Sequence, residues 1–390
     1  MLLILLVIFT ALVFTYINGF HDTANSIATV VSTKVLTPRQ AIVLAAVSNL
    51  IGAFFGTAVA ATIASGLVDA QVATMPVLCC ALVAAIIWSL LTWWFGLPSS
   101  SSHALVGGLC GAVLAASGKW SSIIWSIPDK AHWWKSKGIL WKVIVPMISS
   151  PLVGFVVGFL LMGLLYFLLR NWRPVTVNRT FGKLQLASAS YMGFAHGTND
   201  AQKTMGIITL ALVVATKGGM LISVPAWLSW LQTPEGTPAG YLPPVAWAIT
   251  HLPAWLQFGY QPPVIDPKAQ FIPPWITVLC ALTMCAGTAA GGWRIIRTLG
   301  HKMVRIHPVH GFAAEATGAT VLFTAAHFGM PVSTTHAITT SIMGVGCAKG
   351  LNHLKLQVVE RIIWAWVLTL PASAAVAYAL VRIARTCGWL

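Results

Sequence analysis

The chain has 390 residues, 57% of them hydrophobic and 8% charged, with a mean hydropathy of +0.81. A soluble protein of this length cannot hide so much apolar surface behind so few charges, which leaves an all-α polytopic membrane protein. The net charge of +15 is scattered between apolar runs rather than gathered in blocks, so it sets topology and meets lipid headgroups; it does not mark nucleic-acid binding.

About ten hydrophobic segments are predicted along the chain. The first spans 1–31, is interrupted near 19–25, and is read as a retained span rather than a cleaved leader, because it lacks a basic start and a small-residue cleavage site. Then follow 40–65, 75–96, 98–116, 143–169, 184–216, 275–293, 311–328, 331–347 and 361–381. Segments 98–116 and 331–347 are short enough to be re-entrant hairpins instead of full crossings.

The connections carry the orientation. With Lys34 and Arg39 inside, the basic stretches 170–183, 294–305 and 349–361 also fall inside. The Pro- and Trp-rich stretch 217–274 then becomes an extracytoplasmic loop. Residues 117–142 break the pattern, with five Lys on the outside. Their Trp120, Trp125, Trp133, Trp134 and Trp141 are expected to lay an amphipathic segment on the bilayer surface.

Two unrelated features recur in the same order. The first is a polar knot inside apolar sequence, GFHDTANS at 19–26 and GTNDAQK at 197–203. The second is a proline–hydroxyl–histidine run, LPSSSSHA at 97–104 and MPVSTTHA at 330–337. The matched order implies an internal duplication, with repeats at 1–170 and 184–390. Five segments in each repeat, if all cross, invert the second copy relative to the first. That is the plan of secondary transporters.

Only eight acidic residues exist, and Asp22, Asp200 and Glu315 fall in apolar segments. A charge at bilayer depth costs several kcal/mol and demands a partner, a water-filled cavity or an ion. A structural pair of Asp200 with Lys203, one helical turn away, is the plain reading. The duplicated aspartate, with Asn25 and Asn199 close in sequence, favours an ion or substrate site. In the second motif pair, Pro98 and Pro331 are expected to start helices whose first turns hold Ser100, Ser101, Ser102 and Ser333, Thr334, Thr335. Unpaired backbone N–H groups, hydroxyls and the positive dipole end converge there, an anion site without formal charge. His103 and His336 donate to the anion, shuttle protons or orient the loop. No GxxxxGK[ST], HExxH or CxxC spacing occurs, so no nucleotide site, catalytic residue, resident metal or cofactor is assigned.

These motifs resemble the inorganic phosphate transporter (PiT) family of the bacterial low-affinity type, to which WVLTLPA at 366–372 is also similar. The resemblance covers the chain outside 117–142 and 217–274. It implies an inner-membrane symporter of inorganic phosphate working by alternating access between inverted repeats, and no enzyme. Ser100–Ser102 and Ser333–Thr335 would hold phosphate. Asp22, Asn25, Asn199, Asp200, Lys203 and Glu315 would serve the coupling cation, supported by His21, Thr23, Thr198, Gln202, His103 and His336. His21 and Lys203 depart from the family's sodium-type pattern and resemble the proton-coupled branch that carries neutral metal–phosphate complexes, with Mg2+ or another divalent ion. Glu315 resembles the sodium type. The alternatives are a Na+-coupled phosphate symporter, a sulfate permease, an anion channel, and an intramembrane hydrolase using Ser with His103 or His336. A homodimer in the bilayer is compatible with all the transporter readings.

Overall fold

The computed structural model describes residues 1–130, 132, 136–221, 226–233, 248–251, 253, 270–292, 295, 296, 298, 306–348, 350 and 354–389. Among them the regular structure is helical, with two isolated backbone bridges, Val68 to Ile123 and Ile127 to Lys137. The helices are α1 (Leu2–Ser32), α2 (Pro38–Gly52), α3 (Ala58–Ser65), α4 (Met75–Trp94), α5 (Ser101–Ser117), α6 (Val145–Leu169), α7 (Pro174–Lys217), α8 (Pro274–Ala290), α9 (Pro308–His327), α10 (Thr334–Cys347) and α11 (Leu356–Thr386). Among the described residues four helical stretches are long and apolar enough to cross a membrane: Leu2–Ser32, Met75–Trp94, Leu140–Leu169 and Leu356–Thr386.

Two expectations about the elements are corrected. The polar knot does not interrupt α1, which is continuous from Leu2 to Ser32. Its backbone groups are satisfied within the helix, as an apolar surround requires, and its polar side chains find partners on other helices. Segment 40–65 is two helices rather than one. Gly56, in the left-handed region at φ 88°, turns the chain between them, a conformation a side chain disfavours.

α4 joins α5, and α9 joins α10, through turns of the same construction. Gly96 and Gly329 both adopt φ 64° and close the preceding helix. Leu97 N–H donates to Thr92 O and Met330 N–H to Ala325 O, each at 2.9 Å, so both ends are stopped by the same backbone device. Pro98 and Pro331 lie in these turns and do not begin the next helix, as the sequence had suggested. Ser100 and Ser333 are the caps, accepting from the N–H of His103 at 3.1 Å and His336 at 3.2 Å. The result is two helical hairpins, each with its tip at the proline–hydroxyl motif.

The hairpins are clasped by helices from the other part of the chain. α11 packs on α5 and α4, and α6 packs on α10 and α9. The long helices exchange partners likewise: α2 lies on α7, α8 lies on α1, and α1 touches α7. Both hairpin tips therefore end against the middles of α1 and α7, where the polar knots lie. Residues 117–142 form no amphipathic helix among the described positions. Trp120–Ser122 is a short 3-10 turn, Ile123 bridges to Val68, Ile127 bridges to Lys137, and Leu140 opens the helical stretch that leads into α6. Trp133 and Trp134, most of 217–274, and much of 294–305 lie outside the described residues.

Candidate functional site

Asp22, on α1, accepts from Ser101 Oγ at 2.6 Å and from Thr335 Oγ1 at 3.4 Å, so it touches the tips of both hairpins. His21 Nδ1 lies 2.8 Å from Asp22 Oδ1. Three residues further along α1, Asn25 Nδ2 donates to Thr334 Oγ1 at 3.2 Å and to Thr335 Oγ1 at 2.9 Å. One turn the other way, Asn18 Oδ1 lies 2.7 Å from the same Ser101 Oγ, and Asn18 Nδ2 donates to Asp200 Oδ2 at 3.3 Å. The first knot thus serves as a bridge between the two tips and the second knot.

Asp200, on α7, has different company. Lys203 Nζ lies 2.5 Å from Asp200 Oδ1, and the same ammonium donates to Ser102 Oγ and, at 3.1 Å, to Val332 O. The plain ion pair considered from the sequence is therefore present, but it is built into both hairpin tips. Lys203 is 1% exposed and Asp200 fully buried. Breaking such a pair from one side leaves an uncompensated buried charge, at a cost of about 3–5 kcal/mol. On the opposite side, His196 Nε2 lies 3.2 Å from Asp200 Oδ2. His196 was not singled out in the sequence. Its signal was the i, i+4 spacing to Asp200, which puts both on one helix face.

The hydroxyl groups divide into two sets. Ser101, Ser102, Thr334 and Thr335 face the knots, and the leading backbone N–H groups of α5 and α10 have no intrahelical partner there. Ser100 and Ser333 are occupied as caps. The rings of His103 and His336 meet at 4.8 Å, and His336 stacks on Trp366 at 4.0 Å. Trp366 Nε1 also donates to Pro98 O at 3.0 Å, so it ties one hairpin's turn to the other's histidine.

Other candidates fall outside this cluster. Thr23 donates to Gly19 O and Thr288 O, and Thr198 to Phe194 O and Gly52 O, holding α1 on α8 and α7 on α2. Gln202 Oε1 accepts from Val59 N–H at 2.8 Å, capping α3. Asn199 reaches the second hairpin turn, donating to Met330 O at 3.4 Å. Glu315 is fully buried on α9 and accepts from Thr29, Gln185 and Ser188. Ser188 is twelve residues before Asp200 on α7, about 18 Å along the helix, so Glu315 belongs to a separate polar cluster.

Apolar helices enclosing a buried constellation of carboxylates, amides, an ammonium and two hydroxyl-bearing hairpin tips define a membrane protein built round a buried polar and charged centre. The chain belongs to the phosphate transporter family, whose model matches residues 18–377. It is 38% identical over 388 residues to a probable low-affinity inorganic phosphate transporter of Bacillus subtilis (strain 168), covering 98% of each chain. A protein of the same description from Mycobacterium tuberculosis (strain ATCC 25618 / H37Rv) is 41% identical over 374 residues, covering 96% of this chain and 76% of the relative. The low-affinity inorganic phosphate transporter PitB of Escherichia coli (strain K12) is 28% identical, covering 95% of this chain and 94% of the relative. This is a family of transporters, not of enzymes, so the hydrolase alternative falls away. A solved structure described as the sodium-dependent phosphate transporter has the same fold, with a TM-score of 0.74 at 22% identity over 99% of this chain and 100% of that one.

Proposed function

We propose that the protein is an inner-membrane phosphate symporter driven by protons, working by alternating access between two inverted repeats. The relatives' description as phosphate transporters supports the substrate. The observation that carries the coupling is the charge of the buried cluster. Asp22 and Asp200 contribute two negative charges and Lys203 one positive, so with neutral imidazoles the side chains of the centre sum to a net negative charge. A phosphate anion cannot enter a buried site of its own sign without a cation. Symport follows from that arithmetic.

Lys203 favours the proton over sodium. Its ammonium occupies the Oδ1 side of Asp200, and a fixed cation there repels a sodium ion. The same net charge suits a neutral metal–phosphate complex better than the free dianion. The Ser and Thr hydroxyls and N–H groups of the two tips supply donors to phosphate oxygens. The exchange of packing partners between α5/α11 and α10/α6, and between α2/α7 and α8/α1, supports the inverted-repeat reading. The lengths of α5 (17 residues) and α10 (14 residues), roughly 26 and 21 Å, support re-entrant hairpins in a core of about 30 Å.

Proteoliposome uptake of labelled phosphate under separately imposed pH and sodium gradients, with and without Mg2+, tests this. Uptake driven by an inward proton gradient alone is expected, stimulated by the divalent ion and not displaced by excess sulfate. Uptake that follows the sodium gradient alone overturns the proton assignment. Full displacement by sulfate overturns the substrate.

A further inference from the structure

The end of α6 and the starts of α7 and α9 enclose a cavity of about 310 Å³. Four exposed polar side chains line it, Tyr166, Arg170, Asn178 and His307, beside the buried Met162 and Val309. The cavity is remote from the polar knots. Pro174, also in its lining, stands 26 residues before Asp200 on α7, roughly 39 Å along the helix.

The polar groups of this cavity are set to donate. His310 Nδ1 accepts from the N–H of His307 at 3.0 Å, so in the neutral ring Nε2 carries the hydrogen and donates to Tyr166 Oη at 2.8 Å. The phenol therefore keeps its own proton for a ligand. Arg170 stacks over the Phe167 ring at 4.9 Å, which steadies the guanidinium at the cavity. Among the described residues Arg170 pairs with no carboxylate, and the segments 162–178 and 307–310 contain no Asp or Glu. α7 and α9 begin here, at Pro174 and Pro308, so the positive ends of two helix dipoles add to the same field. Donors and positive charge without a counter-ion make this a place for an anion.

We propose that the cavity binds an anionic phospholipid, with its phosphodiester held by Arg170 and Tyr166 and an acyl chain laid along the apolar lining. Two observations favour a lipid over a free phosphate ion. The apolar stretch ends at Leu169, so Arg170 stands at headgroup depth, between the aromatic residues Tyr166 and Trp172 that suit the membrane interface. Met162, Leu169, Val177 and Val309 offer nothing to a hydrated ion but a contact surface to a hydrocarbon chain. The bound lipid ties the turn between α6 and α7 to the start of α9, the helix that leads into the second hairpin tip. None of this depends on the phosphate reading of the polar centre.

The test is equilibrium binding of dioctanoyl-phosphatidylglycerol to the full-length protein purified in detergent, without inorganic phosphate. The wild type is expected to bind about one molecule per chain, at least about 5-fold more tightly than the zwitterionic dioctanoyl-phosphatidylcholine. Arg170→Gln should remove that preference, weakening phosphatidylglycerol by about 5-fold. Tyr166→Phe, which takes away only the phenol group, should weaken it by about 5-fold as well. Arg179→Gln removes a charge from α7 outside the lining and should change nothing. Melting temperatures of the lipid-free variants, expected to match the wild type, separate loss of the lipid from loss of the fold. Equal binding of the two lipids, or equal weakening by Arg170→Gln and Arg179→Gln, overturns the site. Displacement of the bound lipid by millimolar inorganic phosphate overturns the lipid as its occupant.

Discussion

Asp22 and Asp200 occupy matching places in the two polar knots, yet they live in different electrostatic surroundings. Asp22 is held by hydroxyls and an imidazole, from Ser101, Thr335 and His21. Asp200 is held by a full ammonium, Lys203, and by His196. The scaffold repeats, and the charge does not. The difference is that Asp200 has a resident ammonium as counter-charge, while Asp22 has an imidazole and hydroxyls in its place.

Substituting each aspartate in turn breaks that comparison most directly. Asp200→Asn strands a buried ammonium and should destabilise the protein by about 3–5 kcal/mol, read as a large fall in melting temperature in detergent. Asp22→Asn leaves hydroxyl partners that bond an amide as readily, so its melting temperature should move far less. Cation-driven uptake should be lost in both. Full uptake by Asp22→Asn would show that the unpaired carboxylate is not the coupling group.

Lys203→Asn sharpens the comparison by making the second knot resemble the first. Asp200 then loses its counter-charge and should lose stability by a similar few kcal/mol. An ion that fills the vacated place should restore it. The expected result is a melting temperature recovered by sodium chloride and not by choline chloride, together with phosphate uptake that now responds to sodium. Equal effects of the two salts would mean that Lys203 does not stand in a cation's place.

Gly197→Ala tests the packing that brings His196 and Asp200 to the site. A Cβ at 197 would lie 2.2 Å from Asn49 O, so α2 and α7 would have to separate. Overpacking of this kind costs about 1–3 kcal/mol. Because Asn49 also contacts His196, phosphate uptake should weaken along with the melting temperature. Gly163→Ala on α6, where an added Cβ meets nothing within 4 Å, should leave both unchanged or raise stability slightly.

The parts that could be read from sequence are those fixed by local physics. The apolar run 75–96 is α4 at Met75–Trp94, and 143–169 contains α6 at Val145–Leu169, because hydropathy alone decides where a lipid-embedded helix lies. The duplicated motifs located the hairpin tips and both aspartates. What escaped depends on distant partners. The split of 40–65 into α2 and α3 is held by Gln202, more than 140 residues away, which caps α3. The continuity of α1 through its polar knot depends on Ser101 and Thr335 reaching Asp22. Glu315 looked like a member of the aspartate cluster by residue type, and only the path of α7 places it in its own. His196 stood four residues before Asp200, but its setting depends on Asn49, which no local pattern announces.

The smallest expected effects lie in the hairpins, where the two copies are most alike. Ser100 and Ser333 both accept from the N–H three residues on, so Ser100→Ala and Ser333→Ala should each cost about 1 kcal/mol of stability and cost it equally. One residue further along the chain the equality ends. Ser101 donates its one hydroxyl proton to the Asp22 carboxylate, whereas Thr334 accepts from Asn25. Removing the Ser101 hydroxyl takes a donor from a buried carboxylate, a loss of about 1.5–3 kcal/mol for a bond to a charged group, against about 1 kcal/mol for the neutral bond in Thr334→Val. Melting temperatures of the four variants, measured side by side, give the order. Equal losses at 101 and 334 would mean that Asp22 carries no charge in the folded protein, and the coupling assigned to that charge would have to move to another group.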